Sequence, residues 1–167
     1  MPIFKKKCIV LPHEIKPDTG LCTILGYNAQ TGYMRRYFNK IMKYQGLNAT
    51  AIALNIKDEH FDFTLSSVGS SKVTQMMIEK EFGAKALPYC AKLNECATRE
   101  GRVDFIEVTE GKVFGYCLDD EAKALFEKPE FLDEHIIFVA KMMLIAKRWF
   151  EASIDVDAIP VLIGEKE

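Results

Sequence analysis

The chain has 167 residues, of which 49% are hydrophobic and 28% are charged, and its formal net charge is −2. This length suffices for one domain with its own core, and the composition is too apolar for a disordered chain. The small net charge argues against a strong field that binds nucleic acid or an anionic membrane. No run of about 18 uncharged apolar residues occurs, so no membrane-spanning helix is predicted and we expect a cytoplasmic protein.

Cysteine usage agrees with a cytoplasmic setting. The five cysteines include no C-x-x-C pair, so neither a disulfide framework nor a zinc site is predicted. The sequence also has no G-x-G for a dinucleotide-binding turn and no H-E-x-x-H for a zinc enzyme. The residues therefore predict no bound metal and no bound cofactor.

In the first half of the chain, strands alternate with helices. Short apolar runs predict strands over residues 8–11, 21–25, 49–56 and 73–78. Apolar residues at helical spacing predict helices over 32–45 and 58–67, the first of which ends at Gly46. This alternation is typical of an α/β domain.

The second half continues with a helix over 84–100 that ends at Gly101 and with a hairpin of strands over 103–108 and 112–116. Helices are then predicted over 119–126 and 132–151, and a short docked segment over 155–163. In the longest helix, one apolar face is formed by Phe138, Met142, Ile145 and Trp149. The elements together predict an α/β domain with a mostly parallel sheet.

Two groups of charged residues stand out as candidate sites. Arg35 and Arg36 lie at the start of a predicted helix, where backbone N–H groups and guanidinium groups both favour an anion. Thr31 and Tyr33 supply hydroxyl groups beside them. The acidic run that begins at Asp119 is typical of the first turn of a helix.

Several stretches, taken in chain order, resemble shikimate dehydrogenases. Residues 25–49 are similar to that family's opening strand, its G-N-P-I-x-H-S-x-S-P loop and the following helix. Residues 61–89 are similar to the segment that ends in N-V-T-x-P-x-K-E-x-x-L-P-Y. Residues 100–125 are similar to the hairpin that ends in N-T-D-G, and residues 142–163 are similar to the final helix and tail.

The resemblance implies the fold of the family's substrate-binding domain, an α/β fold with a mixed, mainly parallel sheet and helices on both faces. Residues 1–20 are then an N-terminal extension, 21–126 the substrate-domain-like part, and 132–163 a C-terminal helix and tail packed on it. In the family, an NADP-binding domain lies between the N-T-D-G segment and the final helix. Here that helix follows almost at once, so the resemblance implies one α/β domain without the NADP-binding part.

The resemblance also implies that most site residues differ from the family's pattern. Gly32 and Met34 stand where two serines hold the substrate carboxylate, and Gly83 stands where a lysine transfers a proton. Asp104 replaces an asparagine, and Asp119 keeps the family's aspartate.

One choice of register remains open at this stage. The ungapped register puts the asparagine of N-V-T on Met77, whereas a shifted register puts that motif on Lys72-Val73-Thr74 and the family's lysine on Ile78. Both registers lose the lysine, and nearby Lys80 and Lys85 leave local compensation open.

Three functions follow as hypotheses. The first is a degenerate, non-catalytic member of the family that acts as a binding or interaction domain. The second is a domain that binds a small carboxylate or phosphate near Arg35, Arg36, Asp104 and Asp119. The third is an NADP-dependent shikimate dehydrogenase, active in aromatic amino acid biosynthesis, that works only with a separate nucleotide-binding chain. The expected protein partner is a second copy or a separate chain.

Overall fold

The computed structural model describes residues 15–164, so the strand predicted over 8–11 lies outside the described residues. The strands are β1 (Gly20–Gly26), β2 (Ala49–Asn55), β3 (Gln75–Ile78), β4 (Lys92–Leu93), β5 (Phe105–Thr109) and β6 (Lys112–Tyr116). The helices are α1 (Tyr33–Tyr44), α2 (Asp58–Ser67), α3 (Glu95–Glu100), α4 (Asp119–Lys123), α5 (Glu134–Phe150) and α6 (Ile159–Gly164).

The six strands form one mixed sheet in the order β2-β1-β3-β5-β6-β4. β1 pairs in parallel with β2 and β3, and β4 pairs in parallel with β6. β5 runs antiparallel to both β3 and β6. Three of these five pairings are parallel, so the predicted mixed, mainly parallel sheet is confirmed.

Helices cover both faces of this sheet, as the resemblance implies. Successive residues of β1 show the division, because Ile24 belongs to the apolar layer that holds residues of α1, α4, α5 and α6, whereas Leu25 belongs to the layer that holds residues of α2 and α3. Both side chains are fully buried. The core therefore consists of two apolar layers, one on each side of the sheet.

The helix predicted over 84–100 is wrong over most of its length. Pro88 lies in a 3-10 turn (Leu87–Tyr89), where its missing N–H breaks the α-helical hydrogen-bond pattern. The chain then forms β4 beside β6, and only α3 remains helical. Asn94 caps this short helix by accepting a hydrogen bond from the Ala97 N–H at 2.9 Å.

The other predicted elements are found with shifts of a few residues at their ends, except that α4 stops at Lys123 rather than at residue 126. The predicted hairpin is confirmed, and its turn holds Glu110 and Gly111 at positive φ. α5 packs against the α1 side of the sheet with its whole central part buried. None of the helices within residues 15–164 is long and apolar enough to cross a membrane.

Candidate functional site

The parallel strands end at one edge of the sheet, and this edge gathers the acidic residues of interest. β3 ends at Ile78, whose N–H donates to the carbonyl oxygen of Asp104 at 2.9 Å. The Asp104 N–H in turn donates to the carbonyl oxygen of Tyr116 at 2.8 Å, where β6 ends. Asp119 follows three residues later, at the start of α4. In open α/β sheets, ligands bind at this carboxyl edge.

Four charged side chains meet at this edge and form the four-charge cluster: Arg102, Asp104, Asp119 and Lys141. The Lys141 ammonium contacts both carboxylates and lies 3.1 Å from Asp104 Oδ2. Arg102 also contacts both, with its Nη1 2.5 Å from Asp104 Oδ1. The Leu118 N–H adds a hydrogen bond of 3.0 Å to Asp104 Oδ2. Two cations thus balance two carboxylates, and the cluster has no net charge.

Burial strengthens the pairing in this cluster. The side chains of Asp104, Asp119 and Lys141 are each only 15% exposed. Burial alone would raise the pKa of Asp119, but Lys141 and Arg102 lower that pKa below its ordinary value. Burial alone would lower the pKa of Lys141, but Asp104 and Asp119 raise it above its ordinary value. Lys141 and Asp119 therefore both stay charged near neutral pH.

A cavity of about 30 Å³ lies beside the cluster. Lys141 and Asp104 form its polar side, and apolar side chains that include Met34, Met77 and Phe138 form the rest. A space of this size holds one or two water molecules. It is too small for a substituted cyclohexene carboxylate such as shikimate unless its walls move.

The structure does not place the predicted arginines among the charged residues of this cluster. Arg35 donates from Nη1 to the carbonyl oxygen of Gln30 at 3.1 Å, and Arg36 lies over the Tyr33 ring at 5.4 Å. Thr31 is exposed and contacts the Asn28 carbonyl oxygen at 3.4 Å. Met34 is the residue at the start of α1 that faces the cavity. Of the predicted site residues, only Asp104 and Asp119 meet in the cluster.

Two glycines that stand where the resemblance implies a serine and a lysine have structural roles in this chain. Gly32 precedes α1, and a Cβ atom added there would lie 3.0 Å from Glu79 Oε2. Gly83 ends a 3-10 turn and accepts a hydrogen bond from the Val103 N–H at 2.9 Å. Lys85 pairs with Asp62 of α2 at 3.5 Å.

Lys141 and Arg102 are the site residues that the sequence analysis missed. Lys141 lies between Phe138 and Ile145 on the apolar stripe of α5. A charged residue on a face that is predicted to be buried is the sequence signal that could have identified it. A lysine in such a position needs a carboxylate partner. The sequence around Arg102 gives no comparable signal, because its ion pair with Asp119 forms only where β6 and α4 place that aspartate.

The cluster does not suit a metal ion. Ligand atoms of Asp104, Cys117 and Asp119 lie within 4.8 Å of one another, and no other such group occurs within residues 15–164. Both carboxylates are already paired with cations. Burial raises the pKa of the Cys117 thiol far above its ordinary value, which disfavours the thiolate that binds metal.

The connection between α4 and α5 does not hold a dinucleotide-binding unit. The connection between α4 and α5 consists of residues 124–133, which contain one 3-10 turn (Pro129–Phe131). A dinucleotide-binding unit needs a strand, a glycine-rich turn and a helix, about 30 residues in all. Those ten residues cannot supply it.

Comparison with curated proteins confirms the predicted resemblance. The chain is 24% identical over 105 residues to the NADP-dependent shikimate dehydrogenase of Aquifex aeolicus, which covers 63% of this chain and 39% of that protein. It is 22% identical over 120 residues to the corresponding enzyme of Methanococcus maripaludis, covering 71% of this chain and 43% of that protein. The chain thus matches about two fifths of the length of these relatives. No protein-family model matches it.

Solved structures agree on the fold. A crystal structure of shikimate dehydrogenase from Aquifex aeolicus superposes with a TM-score of 0.61 at 22% identity, over 71% of this chain and 44% of that one. The Listeria monocytogenes enzyme, solved with shikimate and NAD, gives a TM-score of 0.61 at 16% identity, over 71% of this chain and 41% of that one. The chain is therefore similar to shikimate dehydrogenases in sequence and has the fold of part of them.

Proposed function

We propose that this chain is a shikimate dehydrogenase-like domain that is not a dehydrogenase by itself and that acts as a binding module. The observation that carries the proposal is the four-charge cluster. Arg102 and Lys141 satisfy the two carboxylates from within the chain, at the edge where the resemblance implies a substrate. The small cavity and the short connection over residues 124–133 support the same conclusion.

Charge balance guides the choice between the two kinds of binding module. An anion added at the cluster would face two largely buried carboxylates whose cations are already paired. That cost favours an interaction role over anion binding at this position. An anion held by Arg35 and Arg36 at the start of α1 remains a separate prediction, which a melting-temperature screen of carboxylates and phosphates would test.

The proposal is tested by an enzyme assay with a strong positive control. We expect the purified chain to show no NADP-dependent oxidation of shikimate above a protein-free blank, while the full-length Aquifex aeolicus enzyme is active under the same conditions. Calorimetric titration should also detect no shikimate binding in the micromolar range. Measurable turnover by this chain alone would contradict the proposal.

A second candidate function is favoured by one contact. Lys141 places an ammonium group against Asp119, so a lysine and the aspartate kept from the family do meet, although the lysine comes from α5 rather than from position 83. This supports a shikimate dehydrogenase activity completed by a separate NADP-binding chain. The candidate requires that this chain bind shikimate, and that Lys141→Met weaken the binding while Lys147→Met on the exposed side of α5 does not.

The protein partner is also a proposal. Phe131 is 79% exposed in the connection between α4 and α5, where the family has its cofactor domain. Light scattering coupled to gel filtration, run at two protein concentrations, shows whether the partner is a second copy of this chain. A mass of one chain at both concentrations would argue against self-association.

A further inference from the structure

Two buried thiols, those of Cys96 and Cys117, meet where α3 packs on the sheet. Cys96 lies in the first turn of α3 and is 3% exposed, and Cys117 directly follows β6 and is fully buried. Both belong to the apolar layer on the α2 side of the sheet. Burial, and secondly an interaction with the Cys96 thiol, raise the pKa of Cys117. The two cysteines are therefore neighbours in space although residues 97–116 separate them in the chain.

The Asn94 side chain holds the backbones of this pair together. Its Oδ1 accepts hydrogen bonds from the Ala97 N–H at 2.9 Å and from the Cys117 N–H at 3.1 Å. Its Nδ2 donates to the Cys117 carbonyl oxygen at 2.9 Å. One amide group thus ties the first turn of α3 to both backbone polar groups of Cys117. A disulfide requires two Cα atoms about 4.4–6.8 Å apart, and backbones that are joined in this way favour such a separation.

Cys96 is the member of the pair that can react first. The Arg99 Nη2 lies 3.8 Å from the Cys96 sulfur atom and also pairs with Asp120 at 2.7 Å. A neighbouring cation stabilises the negative charge of a reacting thiol. Because α3 has only six residues, it opens locally more readily than the sheet beneath it. Such an opening exposes Cys96 to a reagent in solution, while Cys117 stays behind it at the end of β6.

We propose that Cys96 and Cys117 are a reversible redox pair, which a small disulfide such as oxidised glutathione converts into a disulfide within the chain. The Cys96 thiolate attacks one sulfur atom of the glutathione disulfide, and the other glutathione leaves as a thiolate and takes up a proton. The Cys117 sulfur, losing its proton, then attacks the Cys96 sulfur, and the second glutathione leaves. Two protein thiols are thus oxidised, and one small disulfide is reduced to two thiols.

The bond would fix α3 to the sheet directly before α4, which begins at Asp119. It closes residues 97–116 into a loop and so restricts the opened states of α3. We therefore expect oxidation to protect the amides of α3 from exchange with solvent. The inference does not depend on the proposed binding role, because no side chain of the four-charge cluster takes part in the exchange.

Peptide mapping of the full chain tests the proposal. The chain is equilibrated in glutathione buffers from fully reduced to fully oxidised, its free thiols are alkylated, and it is digested without reduction. We expect a linked pair of peptides that joins Cys96 to Cys117 and that forms and reverts with the glutathione ratio. Cys90, whose sulfur atom contacts the Ala86 carbonyl oxygen at 3.4 Å in the same apolar layer, provides the matched control. Cys90→Ser should form the same bond, whereas Cys96→Ser should leave Cys117 unlinked.

Amide hydrogen exchange measures the effect on α3. In the oxidised chain the N–H groups of Ala97 and Thr98 should exchange more slowly by about tenfold or more. The Glu151 N–H at the end of α5 should be unchanged. Mapping and exchange both use the wild-type chain, so they decide the proposal even if a variant does not fold. A lasting mixed disulfide between Cys96 and glutathione, a link to Cys90, or no link unless the chain is unfolded in urea would overturn it.

Discussion

The ammonium nitrogen of Lys141 and Oδ2 of Asp104 lie 3.1 Å apart, which joins the middle of α5 to the start of β5. The same ammonium contacts Asp119 at the start of α4. Lys141 therefore connects three elements at the carboxyl edge of the sheet. Its ion pairs add to the apolar packing that holds α5 on the sheet.

Replacing Lys141 with methionine tests this structural role. The variant leaves two largely buried carboxylates with Arg102 as their remaining cation, and removal of one partner of a buried ion pair costs about 3 kcal/mol or more. We expect urea unfolding to show a loss of that order in the free energy of unfolding. Lys147→Met, at an exposed position of the same helix, should change it by less than about 0.5 kcal/mol. Equal effects of the two variants would contradict the role.

Acid should weaken the fold through Asp119. Its folded-state pKa lies below the ordinary value of 3.8, so the unfolded chain takes up a proton more readily than the folded one. The resulting stabilisation is present above the unfolded pKa and is lost as pH falls through the folded pKa. We expect the free energy of unfolding to decrease below about pH 4.

Matched variants identify the source of this acid dependence. Asp119→Asn should remove part of it, whereas the exposed Asp157→Asn should leave the slope unchanged. The midpoint of urea unfolding is measured for each variant across an acidic pH series. If the stability of Asp119→Asn depended on pH as steeply as that of the wild-type chain, other carboxylates would account for the acid sensitivity.

The sequence predicts the fold better than it predicts the site, for physical reasons. Apolar periodicity and the hairpin turn depend on residues close together in the chain, so β1, α1, α2 and the β5-β6 hairpin are found where predicted. The segment over 84–100 fails because Pro88 breaks a pattern that otherwise has helical spacing. The resemblance identifies Asp104 and Asp119, but it does not indicate that Lys141 reaches them from α5.

The contact between Gly69 and the hairpin turn provides a packing test. A Cβ atom added at Gly69 would lie 2.6 Å from the carbonyl oxygen of Gly111, which is backbone and cannot rotate away. Gly69→Ala should therefore destabilise the chain by about 1–3 kcal/mol, as overpacking does. Gly164→Ala, where no atom of residues 15–164 lies within 4 Å of the added atom, is the control. Equal melting temperatures for the two variants would contradict the close approach.

The last prediction concerns two phenylalanines of α2, the helix that lies on the face of the sheet opposite α5. Phe61 is fully buried and stacks on Phe82 with ring centroids 4.4 Å apart and an interplanar angle of 4°. Phe63 on the same helix is 76% exposed. Phe61→Ala should cost about 3–5 kcal/mol, because it removes buried surface and leaves a cavity.

Phe63→Ala has the same change in composition on the same helix, but it should alter the free energy of unfolding by less than about 0.5 kcal/mol. Urea unfolding of both variants, with the wild-type chain alongside, measures the difference directly. If Phe63→Ala were as costly as Phe61→Ala, the Phe63 side chain would have to be covered in solution, and an interface over α2 would then replace the exposed surface described for it.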